Sequence, residues 1–400
     1  MDSKQIKATL KSCAGRELLE NIAPYWLNKT IDEKNGGFYG GIDIYGEVIP
    51  QYHKSSVINA RILWTFSSIY MMYPKQEYLD MAHRAYEYLY NYFWDCEHGG
   101  MFWHIDYTGN PLNTKKQVYA QAFVIYALCE YYRAVPDKAI LDKALVIYKL
   151  LEEKVFDAEY NGYSEVFARD WKPLSGEKML AGDVICDKSM NTHLHVLEAY
   201  TNLAHVWDNQ IIKERLRNLI DVTVKYIVNP DTYHFNMFFD REWNSKTNRL
   251  SYGHDIEGSW LLYEAAEELG NPDIIKKAGD VSVKMVSAVL KASSDTPAVI
   301  YETEPGGFAD NDYVWWVQAE AVVGYLNAYQ LSGSEDFLVR AYDIWQFIDK
   351  YVIDKEKGEW FRRLSSDTLK PTANLKKIDE WKGPYHNGRM CLEIIKRCSD

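Results

Sequence analysis

The chain has 400 residues, 47% hydrophobic and 26% charged, which is the balance of a soluble globular protein. Its formal net charge of −12 argues against nucleic acid and anionic membrane surfaces as partners, and no apolar run is long enough to span a bilayer. Six cysteines without a CxxC pair, and an N-terminus without an apolar signal segment, point to a reduced, cytoplasmic chain.

Helical patterns are predicted in chain order near residues 6–28, 55–73, 76–94, 117–134, 137–155, 188–207, 210–228, 255–270, 272–291, 313–332, 335–353 and 384–397. Short turns join alternate pairs, as at Tyr73-Pro74-Lys75, Val135-Pro136 and Gly270-Asn271-Pro272. The other connections are long and carry a recurring pattern. DEKNGGFYG begins at Asp32, DCEHGGMFW at Asp95, DAEYNGYSE at Asp157 and DKEKGEWFR at Asp354. Two degenerate copies are expected near Asn229–Phe235 and Ser294–Tyr301, making six units of roughly 64 residues. Within a unit the first helix is apolar almost all round and the second has one charged face, so the first is buried and the second borders water. The expectation is an all-α chain, residues 1–400 forming one (α/α)6-barrel domain: six inner helices, six outer helices and short hairpin-like loops crowning one end.

Chemistry is expected at that crown, where the inner helices begin. Arg61 opens the first and Tyr119 the second. Asn191 and His195 open the third, His254, Glu257 and Trp260 the fourth. Trp315, Trp316 and Glu320 open the fifth, and Trp381 and His386 lie at the entry of the sixth. Glu257 sits one turn from His254 and is expected to orient it, with Trp260 shaping the same wall; Glu320 is expected to serve His386 across the barrel. Trp315 reads as a core residue. His193 and His195 point in different directions on a helix, and there is no HExxH, CxxC or DxD cluster, so no metal is expected. No GxGxxG, P-loop or GxSxG is present, so neither a nucleotide cofactor nor a serine nucleophile is expected. Aromatic residues make up 14% of the chain, and flat rings suit the C–H faces of sugars. Histidine acid–base chemistry in an aromatic cleft suits proton abstraction beside a carbonyl.

The stretches ARILWTF, KSMNTHLHVLEAY, SYGHDIEGSWLL, VWWVQAEAVVGYLNAYQ and PYHNGRMCLEIIKR resemble the N-acylglucosamine 2-epimerase superfamily, and within it the cellobiose 2-epimerases. The resemblance runs from near residue 24 to the C-terminus. It implies epimerisation at C2 of the reducing-end sugar of β-1,4-linked disaccharides such as cellobiose, lactose or mannobiose. By resemblance His254 and His386 are the acid/base pair, His195 assists ring opening, and Arg61 stabilises the enediolate. Glu257 and Glu320 are supporting carboxylates, and Tyr119, Asn191, Trp316 and Trp381 touch the substrate. Ala60 and Gly383 depart from the family's usual serine and cysteine, and the 46–56 and 303–312 loops differ as well; these departures bear on which disaccharide is preferred. The expected partner is this small molecule alone, with the chain a monomer or weak homodimer. Rival readings are an aldose–ketose isomerase, an N-acetylglucosamine 2-epimerase and an inverting glycoside hydrolase built on Glu257 and Glu320.

Overall fold

The computed structural model describes residues 1–174, 184–292 and 296–399. The chain starts with α1 (Ser3–Arg16), a π-helical turn and α2 (Ala23–Lys29), followed by α3 (Ser56–Met72) and α4 (Gln76–Tyr88). Next come α5 (Val118–Ala134), α6 (Lys138–Lys154), α7 (Met190–Val206) and α8 (Gln210–Val222). Then follow α9 (Tyr252–Leu269), α10 (Pro272–Ala292), α11 (Trp315–Ser332), α12 (Glu335–Phe347) and α13 (Tyr385–Arg397). The all-round apolar helices α3, α5, α7, α9 and α11 each pack on the next, and α13 completes the ring by returning to α3. The amphipathic helices α4, α6, α8, α10 and α12 each cover the inner helix before them, and α1 covers α13. This is the expected (α/α)6 barrel. No helix among the described residues is long and apolar enough to cross a membrane.

Short and long connections sort to opposite ends. At the short end, Gly270 and Gly333 close α9 and α11 in the left-handed conformation, with φ of 72° and 71°. At the long end, the two-residue strand entering an inner helix pairs antiparallel with the following loop. Lys54–Ser55 meets His104–Ile105, Lys116–Gln117 meets Val166–Phe167, and Lys188–Ser189 meets Phe238–Phe239. A bridge between Ile42 and Ile378 stitches the last loop to the first. Four outer helices differ from the expected plain α-helix. They include or end in a π turn, at Glu17–Ile22, Leu89–Phe93, Thr223–Ile227 and Ile348–Val352. One inserted residue leaves the apolar face in place, so a 3.6-residue period does not reveal it.

The repeated aspartate has a structural task. Lys54 Nζ donates to Asp32 at 2.9 Å and to the Gly36 carbonyl at 2.7 Å. Lys116 bonds Asp95, Lys188 bonds Asp157, and Lys377 bonds Asp354, each lysine buried. Burial opposes ionisation of these carboxyls, yet the donors around them hold Asp32, Asp95 and Asp157 below the ordinary range. The fourth copy, Asn229–Phe235, keeps the turn and the Val228–Phe235 bridge without the ion pair: Asn229 replaces the aspartate and Leu250 stands where the lysine would enter. Both charges are absent together, as a buried pair requires. The copy expected over Ser294–Tyr301 begins outside the described residues.

A second latch ties three of the inner helices to their loops. Gln121 bonds both the N–H and the carbonyl of Met101, and Gln318 does the same for Val299. His193 holds the same place in α7: its Nδ1 meets the Ser189 carbonyl at 2.7 Å and its Nε2 accepts from Tyr163 N at 2.9 Å. Gly162 makes room for it, since a Cβ there would lie 2.7 Å from His193 Nε2.

Replacing Lys54 by leucine leaves the Asp32 carboxylate buried and unpaired, and is expected to cost about 3–5 kcal/mol in urea unfolding. Adding Asp32→Asn, the combination the fourth copy uses, is expected to restore most of that loss. Equal stability of the single and double variants would rule out a role for the ion pair.

Candidate active site

The second turn of each inner helix supplies one side chain at a common level. Arg61, Phe123, His195, Glu257 and Glu320 are each the sixth residue of α3, α5, α7, α9 and α11, and Arg389 is the fifth of α13. Five of the six are charged or titratable, and every one of those five is buried. Buried charge on this scale needs partners, and the pattern of pairing, in which Arg61 alone of the cations lacks a carboxylate among the described residues, defines the site.

Three imidazoles are each held through Nδ1. His386 Nδ1 lies 2.6 Å from Glu320, His195 Nδ1 lies 2.9 Å from Glu198, and His254 Nδ1 lies 2.7 Å from Ser251 Oγ. In each ring Nε2 is left for a ligand. The expected Glu320–His386 pair is present. The expected His254–Glu257 pair is not: Glu257 bonds Arg389 at 2.7 Å and lies 3.8 Å from His386. The one-turn imidazole–carboxylate pairing occurs instead on α7, between His195 and Glu198.

Arg389 is the hub. Its Nη2 donates to Glu257 and to Glu320, each at 2.7 Å, and its Nη1 bonds Glu198 and the Tyr385 hydroxyl. Burial, then the charge of Glu320, push Glu257 well above the ordinary carboxylate range. Glu320 is held down at about 2 despite its burial, by Arg389 and His386. Glu257, Glu320 and His386 offer ligand atoms within 4.8 Å of one another. The Arg389 guanidinium and the His386 Nδ1 already take those lone pairs, so a cation would have to displace an arginine that three carboxylates hold.

Burial pushes His254 down to about 3, with help from the neighbouring imidazoles. His386 is also pushed down to about 3 by burial, against the pull of Glu320. Both rings are therefore neutral at neutral pH, the state of a general base. Both pack on the Trp316 indole, with ring centroids 4.8 Å and 5.5 Å away.

These groups open on a cavity of about 320 Å³. Arg61, Tyr119, Asn191, His195, His254 and His386 form its inner wall, together with Glu257 and Trp316. The crown loops add Tyr301, Arg362, Arg363, Leu375 and Trp381. Three buried polar atoms of the wall have no partner: Arg61 Nε, Asn191 Oδ1 and Trp315 Nε1. Arg61 donates to the Tyr119 hydroxyl at 2.8 Å and to the Trp381 carbonyl, and no carboxylate neutralises it among the described residues.

Two further expectations need correction. Trp260 does not shape the cavity wall; it lies beneath, 1% exposed, donating to Glu320 at 3.1 Å with the Arg389 guanidinium over its ring. Trp315, read as core, lines the cavity. Sequence reasoning also missed Arg389, Glu198 and Ser251. Arg389 was visible as the one cation among the apolar positions of α13, whereas Glu198 and Ser251 carry no local signal.

Residues 37–386 match the profile of the N-acylglucosamine 2-epimerase (GlcNAc 2-epimerase) family. The chain is similar to cellobiose 2-epimerase of Bacteroides fragilis, 42% identical over 391 residues that cover 96% of this chain and 98% of that protein. It superposes on the structure of cellobiose 2-epimerase from Bacillus thermoamylovorans B4167 with a TM-score of 0.93 and 40% identity, covering 98% and 100% of the two chains. A D-mannose isomerase structure matches with a TM-score of 0.85 at 21% identity over 96% and 97% of the chains, a likeness of fold alone. The chain belongs to the N-acylglucosamine 2-epimerase family, among its cellobiose 2-epimerases.

Proposed function

We propose that the protein epimerises the reducing-end sugar of a β-1,4-linked disaccharide at C2, by proton transfer through His254 and His386. The observation that carries the reading is the pair of neutral imidazoles, each anchored at Nδ1 and free at Nε2, in one aromatic cavity beside an unneutralised arginine. The similarity to cellobiose 2-epimerases supports the same reaction.

The steps follow from the geometry. The sugar ring opens to the aldehyde, with His195 Nε2 handling the hydroxyl proton and Glu198 holding the imidazole's other nitrogen. One of His254 and His386 removes the C2 proton, and the C–H electrons form the C1–C2 double bond of an enediolate. Negative charge collects on O1, where Arg61 stabilises it; fixed charge of this kind is often the largest catalytic contribution. The first imidazolium gives its proton to the enediolate O1, the second imidazole takes a hydroxyl proton from the resulting enediol, and it delivers that proton to the opposite face of C2, so both rings end neutral. Ionised Glu320 accepts the His386 Nδ1–H, which leaves a lone pair on Nε2. Ser251 Oγ can donate to His254 Nδ1 or accept from it, so His254 can present either a proton or a lone pair. Tyr119, Asn191, Trp316 and Trp381 hold the sugar, the indoles against its C–H faces.

Geometry speaks against the hydrolase reading. An inverting hydrolase keeps its carboxylates about 6.5–9.5 Å apart with water between them. Here Glu257 and Glu320 bond one nitrogen of Arg389.

His254→Ala and His386→Ala are each expected to lose on the order of 10²–10⁴-fold in kcat while the circular dichroism spectrum is kept. Wild-type enzyme with cellobiose in D₂O is expected to give the 2-epimer with deuterium at C2 and an intact glycosidic bond. A ketose would move the assignment to an isomerase, and turnover of N-acetylglucosamine in place of the disaccharide would move it to that substrate.

The depressed histidines set two different pH responses. Neutral imidazole persists well below the ordinary value of about 6.5, so kcat/KM is expected to stay flat from about pH 8 to pH 5.5. Stability is expected to behave differently. Between about pH 6.5 and 3 the unfolded chain binds a proton at each of these sites and the folded chain does not, so stability falls with falling pH, by about 1.4 kcal/mol per pH unit for each histidine. Melting temperatures and initial rates over the same buffers check both; an acid limb in kcat/KM near 6.5 would contradict the neutral pair.

A further inference from the structure

A second cavity, of about 550 Å³, opens at the other mouth of the barrel, between the C-terminal halves of the inner helices. Its volume is in the range of small-molecule sites, and the proposed reaction does not use it. Trp64, Tyr126 and Trp260 supply aromatic surface, and Glu130, Glu264 and Glu393 supply acceptors. Two donors of its lining are buried without a partner. Trp64, 7% exposed, has an unpaired indole Nε1–H, and Arg389, 1% exposed, has an unpaired Nε–H. Buried donors of this kind each cost about 1–3 kcal/mol when left unmet, so the cavity is built for something that accepts hydrogen bonds.

The lining also narrows what that is. Its carboxylates outnumber its cations, Glu130, Glu198, Glu264, Glu267, Glu268 and Glu393 against Arg133, Arg389 and Lys396, which disfavours an anion. Among the described residues these carboxylates do not gather into a metal-sized cluster, since the one such group lies at the active site. A simple cation would leave the Trp64 and Arg389 donors unmet. Burial and then Glu393 push the Glu264 carboxyl up to about 7, so near neutral pH it both donates and accepts. Unmet donors, surplus acceptors and aromatic rings together match a ligand whose every group does both: a neutral polyhydroxylated molecule.

We infer that the far mouth of the barrel is a second, non-catalytic site for a neutral sugar or polyol. One layer of side chains separates it from the first. Glu198 and Arg389 line the far cavity; Glu198 also bonds His195 and Arg389 also bonds Glu257, both of which line the catalytic one. A ligand accepting from Arg389 Nε would touch the guanidinium that positions the catalytic carboxylates.

The test uses the whole enzyme labelled with ¹⁵N and follows its indole N–H signals as methyl β-cellobioside is added; this glycoside cannot open its ring and so does not react. The signal missing in Trp64→Phe identifies Trp64. It is expected to shift with its own saturation curve, distinct from that of the signals missing in Trp316→Phe and Trp381→Phe. Glu264→Leu is expected to weaken the Trp64 response at least tenfold while leaving the catalytic-side response unchanged. Because the readout needs no turnover, it stands apart from the reaction assigned above. A Trp64 signal that stays still while the catalytic-side indoles move overturns the inference, and so does one that follows spermidine but not the sugar. Loss of all indole dispersion in Glu264→Leu would show misfolding, and Glu264→Ala then serves in its place, with the same tenfold weakening expected.

Discussion

The site depends on one buried guanidinium. Arg389 is 1% exposed and meets Glu198, Glu257 and Glu320 within the barrel axis. One cation cannot balance three carboxylates in a medium of low polarity, so the least favoured carboxyl keeps its proton. Glu257 is that group, while Glu198 and Glu320 stay ionised. The two ionised carboxylates are those that back His195 and His386. Without Arg389, three carboxyls crowded into one buried layer would compete for protons, and the imidazoles would lose the acceptors that set their tautomers.

The barrel itself was legible because its evidence is repeated. Five inner helices apolar almost all round, outer helices with one charged face, and a turn returning about every 64 residues leave little choice of architecture. What escaped was whatever the period does not carry. The π turns at Leu89–Phe93 and Ile348–Val352 add a residue without moving the apolar face. The lysine clasping each repeat aspartate is 21 to 31 residues away in sequence, and its partner is settled by strand register.

At the site, residue types were easier to read than their pairings. Every residue expected at the crown is buried near the barrel axis or lines the cavity, except Trp260, which lies one layer deeper. The His254–Glu257 expectation rested on one-turn spacing, which is necessary for contact and not sufficient. Glu257 turned to a charged arginine on α13, a stronger donor to a carboxyl oxygen than a neutral imidazole. His254 was left to Ser251, the residue before its own helix. The same spacing did produce contact between His195 and Glu198, which shows that the competing partner, and not the helix geometry, decides.

The arrangement that results suits the proposed chemistry. Taking a proton from C2 makes two charges at once, an imidazolium and an enediolate, in a cavity that held neither before. Glu320 stands behind His386 to meet the first, and Arg61, with no carboxylate of its own, is placed to meet the second. Each new charge thus forms next to a fixed opposite one, and little of the surroundings needs to reorganise. His254 has the Ser251 hydroxyl behind it, a group that can donate or accept. The two imidazoles lie against the same tryptophan, and burial keeps both neutral at rest. Epimerisation runs in both directions, so each ring must be able to take the C2 proton and to give one back, and a ring that rests neutral can do either once it has taken a proton from the sugar.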